Sequence, residues 1–218
     1  MKKEATRQKP MGMSTYQLTA VAILMALIIL MVVTGIGYIP IGPLKLTILT
    51  LPVAIGAAMC GVKAGLILGA TFGLSSFLTS LFGLDALGEL IISLGWKQAI
   101  LLFITCVVPR IVCGLLPALL HKVLKKKNRT VADAVTCALV ALLNTALFLG
   151  FFWVFFLSDL KNEPKLIEMF GGKVESFGAL FAAFAGSNAI VEVVINLVLG
   201  TAICRALQPT ARRLKLDE

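Results

Sequence analysis

The sequence predicts an all-α integral membrane protein, a six-helix bundle with both termini in the cytoplasm. Three observations carry that reading. Hydrophobic residues make up 59% of the 218 residues and charged residues 14%, with a mean hydropathy of +0.97. Six apolar stretches, each long enough or nearly long enough to cross a bilayer, occupy most of the chain. Lys and Arg gather in alternate connecting segments. A bilayer interior accepts ~20 apolar residues per helix, whereas no water-soluble core of this size needs so much apolar surface. The runs are continuously apolar, not alternating, so they suit helices that satisfy their own backbone and not barrel strands.

Taken in order, helix one is expected over Tyr16 to Val33, after a polar tail at 1–15 that does not read as a cleaved signal peptide. The loop Thr34 to Lys45 carries Gly35, Gly37, Pro40, Gly42 and Pro43. It cannot be helical, yet it is too apolar for a loose solvent loop. It reads either as a short re-entrant connector or as a lid that brings Tyr38, Ile39 or Lys45 over a site. Helix two, Leu46 to Cys60, is short and contains Pro52; Gly61 to Lys63 form a tight turn. Helix three, Ala64 to Phe82, carries Gly65, Gly69 and Gly73 at a spacing that lets a neighbouring helix approach closely. Gly83 to Trp96 reads as a partly helical external loop. Helix four, Ala99 to Leu120, contains Pro109 and Pro117 and leads into the basic hinge His121 to Arg129. Helix five is expected over Val131 to Leu157, followed by a polar loop, Ser158 to Ser176. Helix six runs from Phe177 to Leu207, and a basic tail occupies 208–218. The membrane domain is therefore 16–207.

Charge placement gives the orientation. Fourteen of the 20 cations fall in the N-terminal tail, at Lys63, in the hinge and at the end of helix six, against five (Lys45, Lys97, Lys161, Lys165, Lys173) in the opposite segments. Cytoplasmic segments carry this excess, so both termini face inward. The net charge of +9 is thus a topology signal and not a nucleic-acid footprint. The five cysteines lie in apolar segments without CxxC spacing and read as reduced small residues.

Polar residues inside spanning helices are costly, so each needs an account. Arg110 sits in helix four. It reads either as a structural cation that snorkels or pairs with Glu192, or as the anchor for a substrate carboxylate in a cavity open to the outside. Asn188, Glu192 and Asn196 recur every four residues in helix six and share one face, which meets either a neighbouring helix or a cavity. Asn144 and Thr145 form a second polar pair at mid-depth in helix five. Ala22 and Ala26 put small residues four apart on helix one.

Several motifs are missing: no Walker A ending, no HExxH and no GxSxG. The chain reads as a non-enzyme with no cofactor and no metal, since acid–base chemistry needs a tuned pair and only Arg110 and Glu192 are available.

The ordered set Ile39-Pro40-Ile41-Gly42, Leu46-Thr47-Ile48, Leu51-Pro52, Gly61…Gly65…Gly69…Phe72-Gly73-Leu74, Pro109-Arg110 with Gly114, Asn144-Thr145 and Asn188…Glu192 resembles the substrate-binding S component of energy-coupling factor (ECF) vitamin transporters. The resemblance covers about residues 16 to 205. It implies a subunit of the cell membrane that captures a vitamin outside and delivers it by toppling, together with a transmembrane T component and two cytoplasmic ATPase subunits. It also implies that Ala22 and Ala26 meet the T component. Arg110 favours an anion, and few aromatic residues are at hand: Tyr38 and Trp96, with Phe148, Phe152 or Trp153 further candidates. A small carboxylated vitamin fits best, pantothenate first and folate next, ahead of pyridoxine-like substrates and riboflavin. The expected binding residues are Arg110, Asn188, Glu192, Asn144, Tyr38, Lys45 and Trp96. A stand-alone secondary carrier for a small organic anion or vitamin is the competing reading. It predicts gradient-driven uptake with no ATPase partner.

Overall fold

A computed structural model describes residues 13–41, 44–169, 189–214 and 216. Among the described residues the structure is mainly helical, with one short hairpin. Helix α1 (Thr15–Val33) starts at Ser14, whose hydroxyl accepts from the Gln17 amide at 3.2 Å while the Gln17 side chain accepts from the Ser14 amide at 2.8 Å. This reciprocal capping satisfies two donors that a helix start otherwise leaves open. Gln17 also donates to the Leu216 carbonyl at 2.6 Å, which ties the start of α1 to the far end of the chain.

The Gly/Pro loop is neither helix nor coil. Strands β1 (Tyr38–Ile41) and β2 (Leu44–Thr47) pair antiparallel, with Tyr38 opposite Thr47. The β-branched and aromatic residues that flank the turn suit a pleated ribbon. Helix α2 (Thr50–Cys60) consequently begins four residues later than the sequence predicts, because Leu46 and Thr47 belong to the strand. Gly61, at φ +82°, makes the turn into α3 (Val62–Leu81) in a backbone region that side chains rarely tolerate.

Helix α4 (Ala86–Ser93) is capped by Asp85, which accepts from the Gly88 amide at 3.0 Å. It is the helical part of the segment expected to be a partly helical loop. Helices α5 (Trp96–Leu124) and α6 (Arg129–Asn162) have 29 and 34 residues, each longer than the predicted span. A short α7 (Pro164–Met169) follows. The last helix, α8 (Ile190–Arg213), contains a π-helical turn at Asn196–Gly200. The expected start of helix six at Phe177 lies outside the described residues.

Among the described residues, five helices are long and apolar enough to cross a membrane: α1, α3, α5, α6 and α8. The 11-residue α2 is too short for a full span and nearly all of it is buried. By contrast only 11% of the apolar window of α1 is buried, leaving Ile23, Ile29, Leu30 and Val33 on the outside. Such an outward apolar face is what a helix presents to lipid or to a partner helix.

The tightest contact joins α3 to α5. A Cβ on Gly65 would collide with the Gly114 carbonyl, and one on Gly114 with the Gly65 carbonyl. A Cβ on Gly69 would meet the Arg110 carbonyl, and one on Gly73 would come within 2.8 Å of Val107 Cα. The glycine row therefore lets two backbones touch, as small residues do where lipid gives helices no hydrophobic reason to associate. At the hinge end, buried His121 Nε2 lies 2.8 Å from Asp133 Oδ1, and Gln208 donates to Asp133 Oδ2 at 2.7 Å. This links α5, α6 and α8. The sequence reading put His121 in the basic hinge and did not single out Asp133, one turn past it. All five cysteines are buried free thiols.

Candidate functional site

The polar residues stranded in the helices converge on one cavity of about 480 Å³. It lies at the end of the bundle opposite the basic hinge. It is bounded by the end of α1, the hairpin, the second half of α3, the start of α4, the middle of α5 and α6, and the start of α8. Its volume is in the range of pockets that enclose a small ligand.

Arg110 is placed by the residue before it. Pro109 has no N–H, so the carbonyl four residues back, Thr105, lacks its helical donor. Arg110 Nη1 donates to that carbonyl at 2.9 Å. The guanidinium lies 4.6 Å from the centroid of the Phe148 ring and 5.4 Å from that of Phe72, within cation–π range of both. Arg110 is 7% exposed, and its Nε is a buried donor with no partner among the described residues. No ion pair within 4.0 Å joins it to Glu192, although both line the cavity. The structural reading in which these two residues neutralise each other by direct contact therefore does not hold.

Glu192 is anchored instead by neutral donors. Its Oε1 accepts from Thr50 at 3.1 Å and from Asn144 at 3.3 Å, and its Oε2 accepts from Thr145 at 3.5 Å. Asn196, fully buried beneath, donates to the Thr50 hydroxyl and to the Glu192 carbonyl, both at 2.9 Å. Asn196 thus packs between helices without lining the cavity, while Glu192 and Asn144 do line it. At the mouth, burial raises the Tyr38 phenol above its ordinary value, so Tyr38 contributes a neutral hydroxyl.

Of the expected binding residues, Arg110, Glu192, Asn144 and Tyr38 line the cavity. Trp96 does not: it begins α5 and is 80% exposed. Its position a full 14 residues before Arg110 puts it ~21 Å along the helix from the guanidinium's anchor. Lys45 belongs to β2, but its side chain is outside the described residues, as is Asn188 entirely. Ala22 and Ala26 are exposed on the outer face of α1. The sequence reading missed the hydroxyl bank of α3, where Ser76, Thr79 and Ser80 line the cavity, and the Asp85 cap beside them. Their three- and four-residue spacing in an apolar helix is the same signal that picked out Glu192 and Asn196.

The chain matches the model of the ECF transporter substrate-specific component over residues 16–204. It is 33% identical, over 171 residues, to the pantothenic acid transporter PanT of Lactococcus lactis subsp. cremoris (strain MG1363), a match that spans 76% of this chain and 79% of that protein. A buried arginine lining a cavity in a chain of apolar helices agrees with those matches, and the protein belongs to the ECF substrate-specific component family, as a multi-pass protein of the cell membrane.

Proposed function

We propose that this chain is the S component of a vitamin importer, capturing pantothenate outside and delivering it with a transmembrane T component and two ATPase subunits. The single observation that carries the reading is the unused Nε of a buried arginine in a cavity of about 480 Å³. A buried guanidinium with an open donor is complementary to a carboxylate, which accepts from it in a fork. The similarity to a pantothenic acid transporter selects pantothenate among carboxylated vitamins. The remaining lining residues, Glu192, Asn144 and Tyr38, complete the pocket in this reading, with the hairpin as its cover.

The orientation belongs to the same proposal. In this reading α2 with its hairpin counts as a sixth crossing, and both ends of the chain lie in the cytoplasm. The Gln17–Leu216 hydrogen bond and the cation excess at that end support it.

The purified chain is expected to bind pantothenate tightly by calorimetry and to hydrolyse no ATP. Uptake in vesicles should require the T component and the ATPases. Gradient-driven uptake by this chain alone would overturn the proposal in favour of a secondary carrier. Ala22→Trp enlarges the exposed face of α1, where the family resemblance puts the T component. It should stop uptake while leaving pantothenate affinity unchanged; intact uptake would move the docking face elsewhere.

Pro109→Ala tests how Arg110 is held. The substitution supplies a backbone donor to the Thr105 carbonyl and competes with Nη1. Affinity is expected to fall about tenfold, near the ~1.5 kcal/mol of one charged hydrogen bond, with no loss of thermal stability. Unchanged affinity would show that the Thr105 contact does not orient the guanidinium.

A further inference from the structure

We propose that Asn144 is a specificity-determining residue that accepts a hydrogen bond from a hydroxyl of the substrate. The inference rests on the capture reading above and adds a second point at which the pocket recognises its ligand.

The argument is an accounting of donors. Asn144, on α6, is 4% exposed and lines the cavity. Its Nδ2 donates to Glu192 Oε1 at 3.3 Å, and its Oδ1 is buried with no partner among the described residues. The carboxylate fixes which way the amide points, because a reversed amide would turn carbonyl oxygen against carboxylate oxygen. The donors around it are already spent. Thr145 gives its hydroxyl hydrogen to Glu192 Oε2. Thr50 directs its single hydrogen to Glu192 Oε1 and accepts from Asn196. Asn196 places its two amide hydrogens on Thr50 and on the Glu192 carbonyl. This corner of the pocket therefore has an acceptor to fill, and the donor left over, the second Nδ2 hydrogen of Asn144 itself, cannot turn back onto its own Oδ1.

The opposite imbalance occurs at Arg110, whose Nε is a donor in need of an acceptor. A ligand that completes both groups carries an anion and a donor. A hydroxyl suits Asn144: it brings one hydrogen to the one open acceptor, and its oxygen can accept in turn. An ammonium would bring three hydrogens, two of them left buried and unpaired. An apolar end would seal Asn144 Oδ1 away from water unpaired, so discrimination comes from the unfilled acceptor and not from an added contact.

The test uses the full-length purified chain and calorimetry with two ligands: pantothenate, and its analogue with both hydroxyls replaced by hydrogen. The wild-type chain is expected to bind the dideoxy analogue about tenfold or more weakly, the usual effect of one buried orphaned acceptor. In Asn144→Leu and Asn144→Ala the ratio of the two affinities should fall towards one, through weaker binding of pantothenate. Arg110→Ala should remove binding of both ligands alike, a loss that is not selective for the hydroxyls. Equal, tight binding of the two ligands by the wild type would overturn the inference and leave the capture reading standing. A ratio that survives in both Asn144 variants would overturn it as well. If the wild type bound neither ligand, the capture reading would fall and this inference with it.

Discussion

Arg110→Ala is expected to abolish pantothenate binding while the bundle stays folded. Among the described residues the side chain makes one hydrogen bond, to the Thr105 carbonyl, and its buried Nε has no partner. Removing one partner of a buried, hydrogen-bonded charge pair costs about 2–5 kcal/mol, some thirtyfold to several thousandfold in affinity. Arg110→Lys should restore little of it. A lysine is a point charge without the planar fork, and it cannot lie on the Phe148 ring while also reaching Thr105 O and a ligand. Calorimetry on both variants, with melting temperature as the control for folding, decides the matter. Wild-type affinity in Arg110→Ala would remove the carboxylate anchor from the site and take the anion argument with it.

Gly114→Val should be the most damaging single change to the fold. The added Cβ would meet the Gly65 carbonyl, which is backbone and cannot swing aside. The α3–α5 pair would have to separate, and overpacking that moves backbone costs on the order of 3 kcal/mol or more. Because Gly69 abuts the Arg110 carbonyl on the same interface, the displacement also carries the guanidinium off its position. Gly150→Ala is the matched control: a Cβ there meets nothing within 4 Å, and helix propensity favours alanine by up to ~1 kcal/mol. A large fall in melting temperature for Gly114→Val with little change for Gly150→Ala is the expected pattern. Equal melting temperatures for both variants would mean that the two backbones are not in contact.

The sequence was most informative where one physical rule dominates. Apolar runs in lipid must be helical, so α1, α3, α5 and α6 were visible from composition, and the glycine row of α3 announced a close neighbour. It was least informative where a partner decides. The loop Thr34 to Lys45 was rightly excluded from helix while Leu46 and Thr47 were not, and the strand pairing is a tertiary fact: period-2 chemistry over four residues a side is too short to stand out. Trp96 was counted among the few aromatic residues at hand for the pocket, yet helix α5 starts there and leaves it exposed. Asp133 passed unnoticed because its partner, His121, is across a hinge.

What the sequence determined by itself is the medium and the inventory: a chain this apolar belongs in a bilayer, and the cost of polar groups in hydrocarbon marks Arg110, Asn144, Glu192 and Asn196 as needing a reason to be there. Only the tertiary structure decided which reason each one has. Asn196 spends one donor on α2 and one on its own helix, Glu192 is held by three neutral donors, and Arg110 and Asn144 each keep one buried polar atom without a partner among the described residues. Helical spacing places side chains on a face, but these hydrogen bonds join α2, α6 and α8 and depend on which faces meet, as at Gly200, where an added Cβ would press on Cys137 of α6 and Leu51 of α2.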